Sequence, residues 1–398
     1  MKTIYILPLV CLLALSQLCN AQKPEPVNGF AVEMKPVAWY KEQIRLWKKE
    51  IDRNNQDAYA WYNYYRATRN LSRVDTTDRR SSDAKAAEQK AIVDEMEKAV
   101  PNSYEYNLTR WLIAGNDPAY IRYLKKADEL GAGRTEHLSD MLGWGEIERD
   151  IPKRNKYADI WYHSSKASPG MLYYNYNVIS GLKPNAVIFT SGDNDTYPIW
   201  LLQSQGIRPD VTVLNTSLLM LDEYRNRILK ELGASPWEKE TRSSKKDAGN
   251  NASSVSDEQT YQRYRKEIVK HIAHNSKKYP VYVALTTGEE YTGPVEEQLY
   301  LTGLAYEYSE QVLDNMALLK RNFEQNYALD YLDKTFFQDI SAYWVNHSSG
   351  NYMVPMLKLL EHYKTSGDVQ HREWISGKIR HIAKGKPGEE QVLKYLSE

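Results

Sequence analysis

Hydrophobic and polar positions along this chain of 398 residues follow two rhythms, and the change between them divides it. Over residues 36–182 the period is helical. Trp39, Ile44, Trp47 and Ile51 recur along one face, with Lys48, Lys49 and Glu50 between them. After Asn54-Asn55 a second helix carries Ala58, Trp61, Tyr62, Tyr65 and Ala67. A helix, a short polar turn, and a helix in which small and aromatic residues alternate is the logic of a tetratricopeptide-type hairpin. Further hairpins are expected from 84–100 with 103–114 and from 118–130 with 136–148, without a fixed repeat length. At 184–219 the rhythm changes to short apolar runs. Residues 186–190 read as a buried strand, Gly192 allows a sharp turn, and Asp193, Asn194 and Asp195 follow in a polar loop. Asp195 or Thr196 can cap a helix through 200–204 that carries Pro198 in its first turn, and 210–214 is a second strand. Strands joined through a helix run parallel, so the centre of the chain predicts an α/β core with a polar loop at a strand's carboxyl end.

Downstream, an amphipathic helix is expected over 221–232, then a polar, aperiodic insertion at 234–260 read as mobile. A helix near 261–276 and a third strand at 281–286 lead into a second polar loop, Gly288-Glu289-Glu290-Tyr291-Thr292-Gly293. Residues 295–398 read as helical again, starting with a helix at 296–308. The expected fold class is therefore α/β: a small parallel, Rossmann-like sheet flanked by tetratricopeptide-like α-helical repeats. The expected division is a signal peptide at 1–21, a helical-repeat region at 22–182, an α/β domain at 183–294 and a C-terminal helical region at 295–398.

Residues 1–21 carry the parts of an export signal: Lys2, the apolar stretch 4–15, and Cys19-Asn20-Ala21 before Gln22. That stretch is shorter than the roughly 20 residues a membrane span needs. The expectation is an exported, periplasmic or secreted protein with no transmembrane segment after cleavage. Lipid attachment at Cys19 is the rival reading, disfavoured because Gln17-Leu18 replace the small residues such a site wants. Both cysteines, Cys11 and Cys19, would leave with the signal, which excludes a disulfide framework and cysteine-based chemistry from the mature chain. With 52 basic and 52 acidic residues, composition gives no support to nucleic-acid binding. The chain has 31 Tyr and 10 Trp against 5 Phe, a bias that suits both repeat seams and sugar-binding surfaces.

The segments Gly192-Asp193-Asn194-Asp195-Thr196-Tyr197-Pro198-Ile199-Trp200, Gly206-Ile207-Arg208-Pro209-Asp210-Val211 and Val213–Leu218 carry a family resemblance. Pro280–Ala284, Leu301-Thr302-Gly303-Leu304-Ala305-Tyr306 and Asn322-Phe323-Glu324-Gln325-Asn326-Tyr327 continue it. Over about residues 155–345 the chain resembles the extramembrane C-terminal region of a bacterial multi-pass membrane protein family of unknown function. That family is related to transmembrane protein O-mannosyltransferases and often appends tetratricopeptide repeats. Sugar transfer is attributed there to the membrane part, which this chain lacks. The resemblance implies a free-standing relative of the accessory domain and does not imply a glycosyltransferase.

The candidate site gathers Asp193, Asn194, Asp195 and Tyr197 at the end of the first strand with Glu289, Glu290 and Tyr291 after the third. Two carboxylates and loop carbonyls suit a hard cation, so a divalent cation is the one candidate cofactor and Asp193 and Asp195 the candidate ligands. The same pair could act as general acid and base. Tyr197 and Tyr291 could stack on a sugar ring or simply cover the sheet. Against all of these stands a turn and helix cap, the ordinary work of Asp and Asn beside Gly. The eight histidines show no zinc-ligand pattern, and no nucleophile elbow or phosphate-binding glycine loop occurs. The reading is an exported, non-enzymatic binding or scaffold protein with a protein or glycan partner in the cell envelope. The alternative is a metal-assisted hydrolase or transferase acting on a glycoconjugate through Asp193 and Asp195.

Overall fold

The structure is a computed structural model that describes residues 23–115, 117–237, 253–276, 278–333 and 338–397. The expected signal peptide lies outside the described residues, as does most of the insertion expected at 234–260; the last part of that insertion belongs to a helix beginning at Ser253. The chain forms two units, one of residues 23–30 with 35–134 and one of 31–34 with 135–397.

In the first unit the helical rhythm becomes α1 (Val37–Arg53), α2 (Ala58–Val74), α3 (Ser82–Ala99), α4 (Tyr104–Ile113) and α5 (Ile121–Leu130). Local chemistry sets the starts: Asp57, Ser81 and Ser103 each accept a hydrogen bond from a backbone N–H in the following first turn. The apolar stripes meet in one core that includes Tyr40, Trp47, Ile51, Trp61, Tyr65, Val93 and Met96.

The second unit opens with α6 (Leu138–Glu148), α7 (Ile151–Tyr162) and α8 (Pro169–Ser180). The sheet and its connections follow: β1 (Val187–Thr190), α9 (Asp193–Ser204), β2 (Thr212–Asn215), α10 (Asp222–Leu232), α11 (Ser253–Asn275), β3 (Val281–Ala284) and the short α12 (Glu289–Thr292). β4 (Leu299–Leu301) and β5 (Ala305–Tyr308) complete it, and α13 (Asn315–Arg321), α14 (Ala342–Ser349), α15 (Met353–Ser366), α16 (Val369–Ala383) and α17 (Glu389–Ser397) end the unit. The sheet order is β2-β1-β3-β5-β4. The first three strands are parallel, with Val187 opposite both Thr212 and Val281, while β5 runs antiparallel to β3 and β4 antiparallel to β5. Val187, Phe189, Leu214, Val281 and Val283 join one buried cluster with Tyr224 and Ile228 of α10 and Ile268 and Ile272 of α11. Among the described residues no helix is long and apolar enough to cross a membrane.

Two expectations need correction. The sheet is a small mixed one in a mostly helical chain, so the clean parallel, Rossmann-like arrangement does not hold. The helix expected at 296–308 is instead a 3-10 turn and the β4–β5 hairpin. Its sequence, Leu299-Tyr300-Leu301-Thr302-Gly303-Leu304-Ala305-Tyr306-Glu307-Tyr308, mixes apolar and aromatic residues too evenly to separate the two periods. Gly303 decides it. A Cβ there would collide with the Tyr327 hydroxyl, which accepts the Leu304 N–H at 3.0 Å. Asn322 supports the same corner, donating to the Thr302 carbonyl at 2.6 Å. The motifs 301–306 and 322–327 that carry the family resemblance are therefore two halves of one packed corner.

A buried ion cluster ties α6 and α7 to the sheet layer. Glu146, fully buried, accepts from Arg149, from Arg154 at 2.8 Å and from the Tyr224 hydroxyl at 2.8 Å. Arg154 also lies over the Trp200 ring of α9. Removing Glu146 leaves the Tyr224 hydroxyl without its acceptor and takes the buried carboxylate from Arg154 and Arg149, which keep Asn155, Gln203 and Glu231. Glu146→Ala should cost about 3–5 kcal/mol in urea unfolding, and Glu146→Gln, which keeps an acceptor, should cost less.

Candidate functional site

The polar sequence after β1 is the first turn of a helix. Gly192 is the residue before α9, and Asp193, Asn194 and Asp195 are its first three residues. Asp195 turns inward and is buried. Its carboxylate accepts the Gly192 N–H at 2.6 Å, the Ser191 N–H at 2.8 Å and the hydroxyl of Thr286, in the turn after β3. Burial raises its pKa above the ordinary carboxylate value, and the Ser191, Thr286 and Gly192 hydrogen bonds oppose that shift. The end of a helix that would attract an anion is thus filled by the chain's own carboxylate.

Pro198 falls in the second turn of α9, where it lacks the N–H that would bond to the Asn194 carbonyl. Asn175 of α8, fully buried, supplies the donor instead, its side-chain amide reaching that carbonyl at 2.8 Å. Thr196 completes the brace: its hydroxyl lies 2.7 Å from that of Thr190 at the end of β1 and accepts from Asn215 at the end of β2 at 3.0 Å. Asn215 also accepts the Ser217 N–H at 2.9 Å. The carboxyl ends of β1, β2 and β3 are joined by side chains, although the buried Asn175 Oδ1 and Thr216 hydroxyl have no hydrogen-bond partner among the described residues.

The residues after β3 do not complete a four-carboxylate cluster. They form α12 rather than a loop, and Glu290 pairs with Arg265 of α11. Tyr291 is buried, with its hydroxyl accepting from Arg265 at 3.1 Å, so it presents no face to a sugar. Tyr197 packs edge-on against Trp161 of α7 and tilted against Trp200. Burial pushes its hydroxyl well above the usual range, with the nearby Asp193 and Asp140 carboxylates adding to the shift. Asp193 and Glu289 remain exposed. Among the described residues no group of three or more His, Cys, Asp or Glu side chains is placed to hold a metal ion. Asn175, Thr286, Asn215 and Arg265, which do most of the bracing, lie in helical or polar sequence that carries no signal of this role.

The arrangement from α8 through β1, α9, β2 and α10 is the part of the chain with a recognised counterpart. Residues 172–256 match the TMEM260-associated domain 2. The match fits a TMEM260-related family. No curated protein and no solved structure matches the chain. Within the TMEM260-associated segment Arg208 performs a second bracing task. Its guanidinium donates to the Ile179, Leu182 and Lys183 carbonyls at 2.6, 3.0 and 2.9 Å, closing the carboxyl end of α8, and pairs with Asp210. Asp210 in turn accepts the Asn185 N–H at 2.8 Å.

Asp195→Ala should destabilise the protein by about 2–4 kcal/mol, because three donors lose a charged acceptor in a desolvated place, and Thr286→Val by clearly less; urea unfolding measures both. The Arg208 guanidinium holds the Asp210 carboxyl at about 2, below its ordinary 3.8. A lowered carboxyl contributes stability above its unfolded value and loses it as pH falls toward the folded one. Unfolding midpoints followed from pH 4 to pH 2 should fall less steeply in Asp210→Asn than in the unaltered protein.

Proposed function

We propose that this chain is a non-enzymatic binding or scaffold protein of the cell envelope that takes a protein or glycan partner. It is exported by its 1–21 segment and acts in the periplasm or outside the cell. In this reading it is related to the accessory region of bacterial multi-pass proteins related to transmembrane O-mannosyltransferases. The family match at residues 172–256 supports the relationship.

The observation that carries the non-enzymatic reading is the internal engagement of the strand-end carboxylates. Asp195 is held by Ser191, Gly192 and Thr286, and Glu290 by Arg265. A general base must reach a substrate proton, and a cation ligand must offer lone pairs to open space. Asp195 does neither in this geometry, so it is not available to share a cation or a proton with Asp193 as the hydrolase reading needs.

The test pairs thermal unfolding with envelope binding. The full chain should melt at the same temperature with and without Ca²⁺, Mg²⁺ or Mn²⁺, and should sediment saturably with cell-envelope fragments in both the unaltered form and Asp193→Asn. A cation bound at 100 times its dissociation constant would add about 2.7 kcal/mol. A melting shift of that size, abolished by Asp193→Asn, would restore the metal-assisted alternative.

A further inference from the structure

Residues 23–30 of the first unit, Lys-Pro-Glu-Pro-Val-Asn-Gly-Phe, form no helix or strand, yet polar side chains buried in the unit's core hold their backbone. The Glu25 N–H donates to Gln43 Oε1 at 2.7 Å, and its carbonyl accepts from Trp47 Nε1 at 2.9 Å. The Val27 N–H donates to Asn63 Oδ1 at 2.7 Å, and the Asn28 carbonyl accepts from Asn70 Nδ2 at 3.0 Å. Gln43 of α1 and Asn63 and Asn70 of α2 are at most 1% exposed. Side-chain amides at such depth in helices are costly unless something pairs with them, and here the partner is a peptide backbone.

The spacing of this segment fits the groove. Pro24 and Pro26 have no N–H, and they fall on either side of Glu25, with Val27 next; the N–H groups of Glu25 and Val27 are the two that the amides take. Proline also biases itself and its predecessor toward an extended, polyproline-like backbone, which costs little entropy to bind. Aromatic residues line the groove, as such ligands require: Trp47 reads the Glu25 carbonyl, and Trp39 Nε1 lies 3.4 Å from the Glu25 carboxylate. Val27 is buried in the core with Tyr40, Trp47, Ala60 and Tyr65. A Cβ on Gly29 would lie 2.5 Å from the Arg66 guanidinium, and Arg73 covers the Phe30 ring. Among the described residues the fit is incomplete where the buried Nε2 of Gln43 and the Nε of Arg66 have no acceptor.

We propose that the α1–α2 groove is a binding site for an extended, proline-containing peptide of another polypeptide, and that residues 23–30 are its built-in occupant. The partner offers N–H groups at alternate positions and an aliphatic side chain for the Val27 pocket. A peptide that also places a carbonyl at Gln43 Nε2 outcompetes the chain's own segment. This rests on the binding reading above and names its partner chemistry; envelope binding through another face would leave that reading standing while this inference failed.

The test uses the full chain and a fluorescent octapeptide copying residues 23–30. A protease-recognition sequence inserted after Phe30 is cut once the protein has folded, so that the groove alone retains the segment. The labelled peptide should then exchange into the groove. Uptake should be at least tenfold weaker in Asn63→Ala and in Asn70→Ala, and for a peptide carrying Val27→Asp. A cut protein that keeps its circular dichroism and melting temperature but takes up no peptide would make the segment a structural strap and overturn the proposal. So would uptake indifferent to those three changes. If the insertion disturbs folding, the uncut Val27→Asp chain, whose segment is expelled by a charge in an apolar pocket, replaces the cut protein. Peptide binding at least tenfold tighter than to the unaltered chain supports the groove, and equal binding refutes it.

Discussion

A single buried carboxylate closes the working end of the sheet. Asp195 ties Ser191 and Gly192, the two residues between β1 and α9, to the first turn of that helix and, through Thr286, to the turn after β3. Desolvation opposes the charge and three donors offset that cost, so the group is tolerated only while all three remain in place. The surrounding residues follow from this. With Asp195 turned in, α9 begins at once after the strand, Pro198 falls in its second turn, and the carbonyl that proline leaves unpaired must be met from outside by Asn175. A region with the outline of a ligand site, at the carboxyl ends of parallel strands, is filled by its own side chains.

The same device recurs through the second unit. Asn177 of α8 donates to the Ala328 carbonyl and the Tyr352 hydroxyl and accepts the Ala328 N–H. Glu307 of β5, buried, receives Lys183 and the Tyr282 hydroxyl. Arg208 closes the end of α8, and Asn322 and Tyr327 close the hairpin corner at Gly303. Asn177, Arg208, Asn322 and Tyr327 each meet a backbone group that an irregular connection would otherwise bury unpaired, whereas Glu307 pairs with side chains. Residues 206–211, 301–306 and 322–327, which carry part of the family resemblance, lie in these connections, where packing and hydrogen bonding engage Arg208, Gly303, Asn322 and Tyr327. The tyrosine-rich composition has a related cause: Tyr174, Tyr224, Tyr282 and Tyr352 are fully buried, and each places its hydroxyl on a polar partner.

Sequence pattern located the helices of the first unit and the three parallel strands within a few residues, because amphipathic stripes and short apolar runs arise from neighbours along the chain. It misread the β4–β5 hairpin, where alternation and helical period coincide and the deciding contact, Tyr327 against Gly303, comes from 24 positions downstream. The polar runs after β1 and β3 were legible as special places without revealing their kind. Glycine beside acidic residues is equally suited to a helix start, a turn or a ligand site, and only the position of Thr286, Asn175 and Arg265 separates these.

The sequence by itself determined the helical first part, the α/β crossover at its centre, the absence of cysteine beyond residue 19 and the proline spacing of residues 23–30. These depend on local backbone preference and composition. Tertiary structure alone decided that Asp195 faces inward, that Glu290 and Tyr291 belong to Arg265, and that Gln43, Asn63 and Asn70 read a backbone segment. A side chain's hydrogen-bond partner is chosen by what the fold brings within about 3 Å of it, and that distance is set by residues far away in the chain.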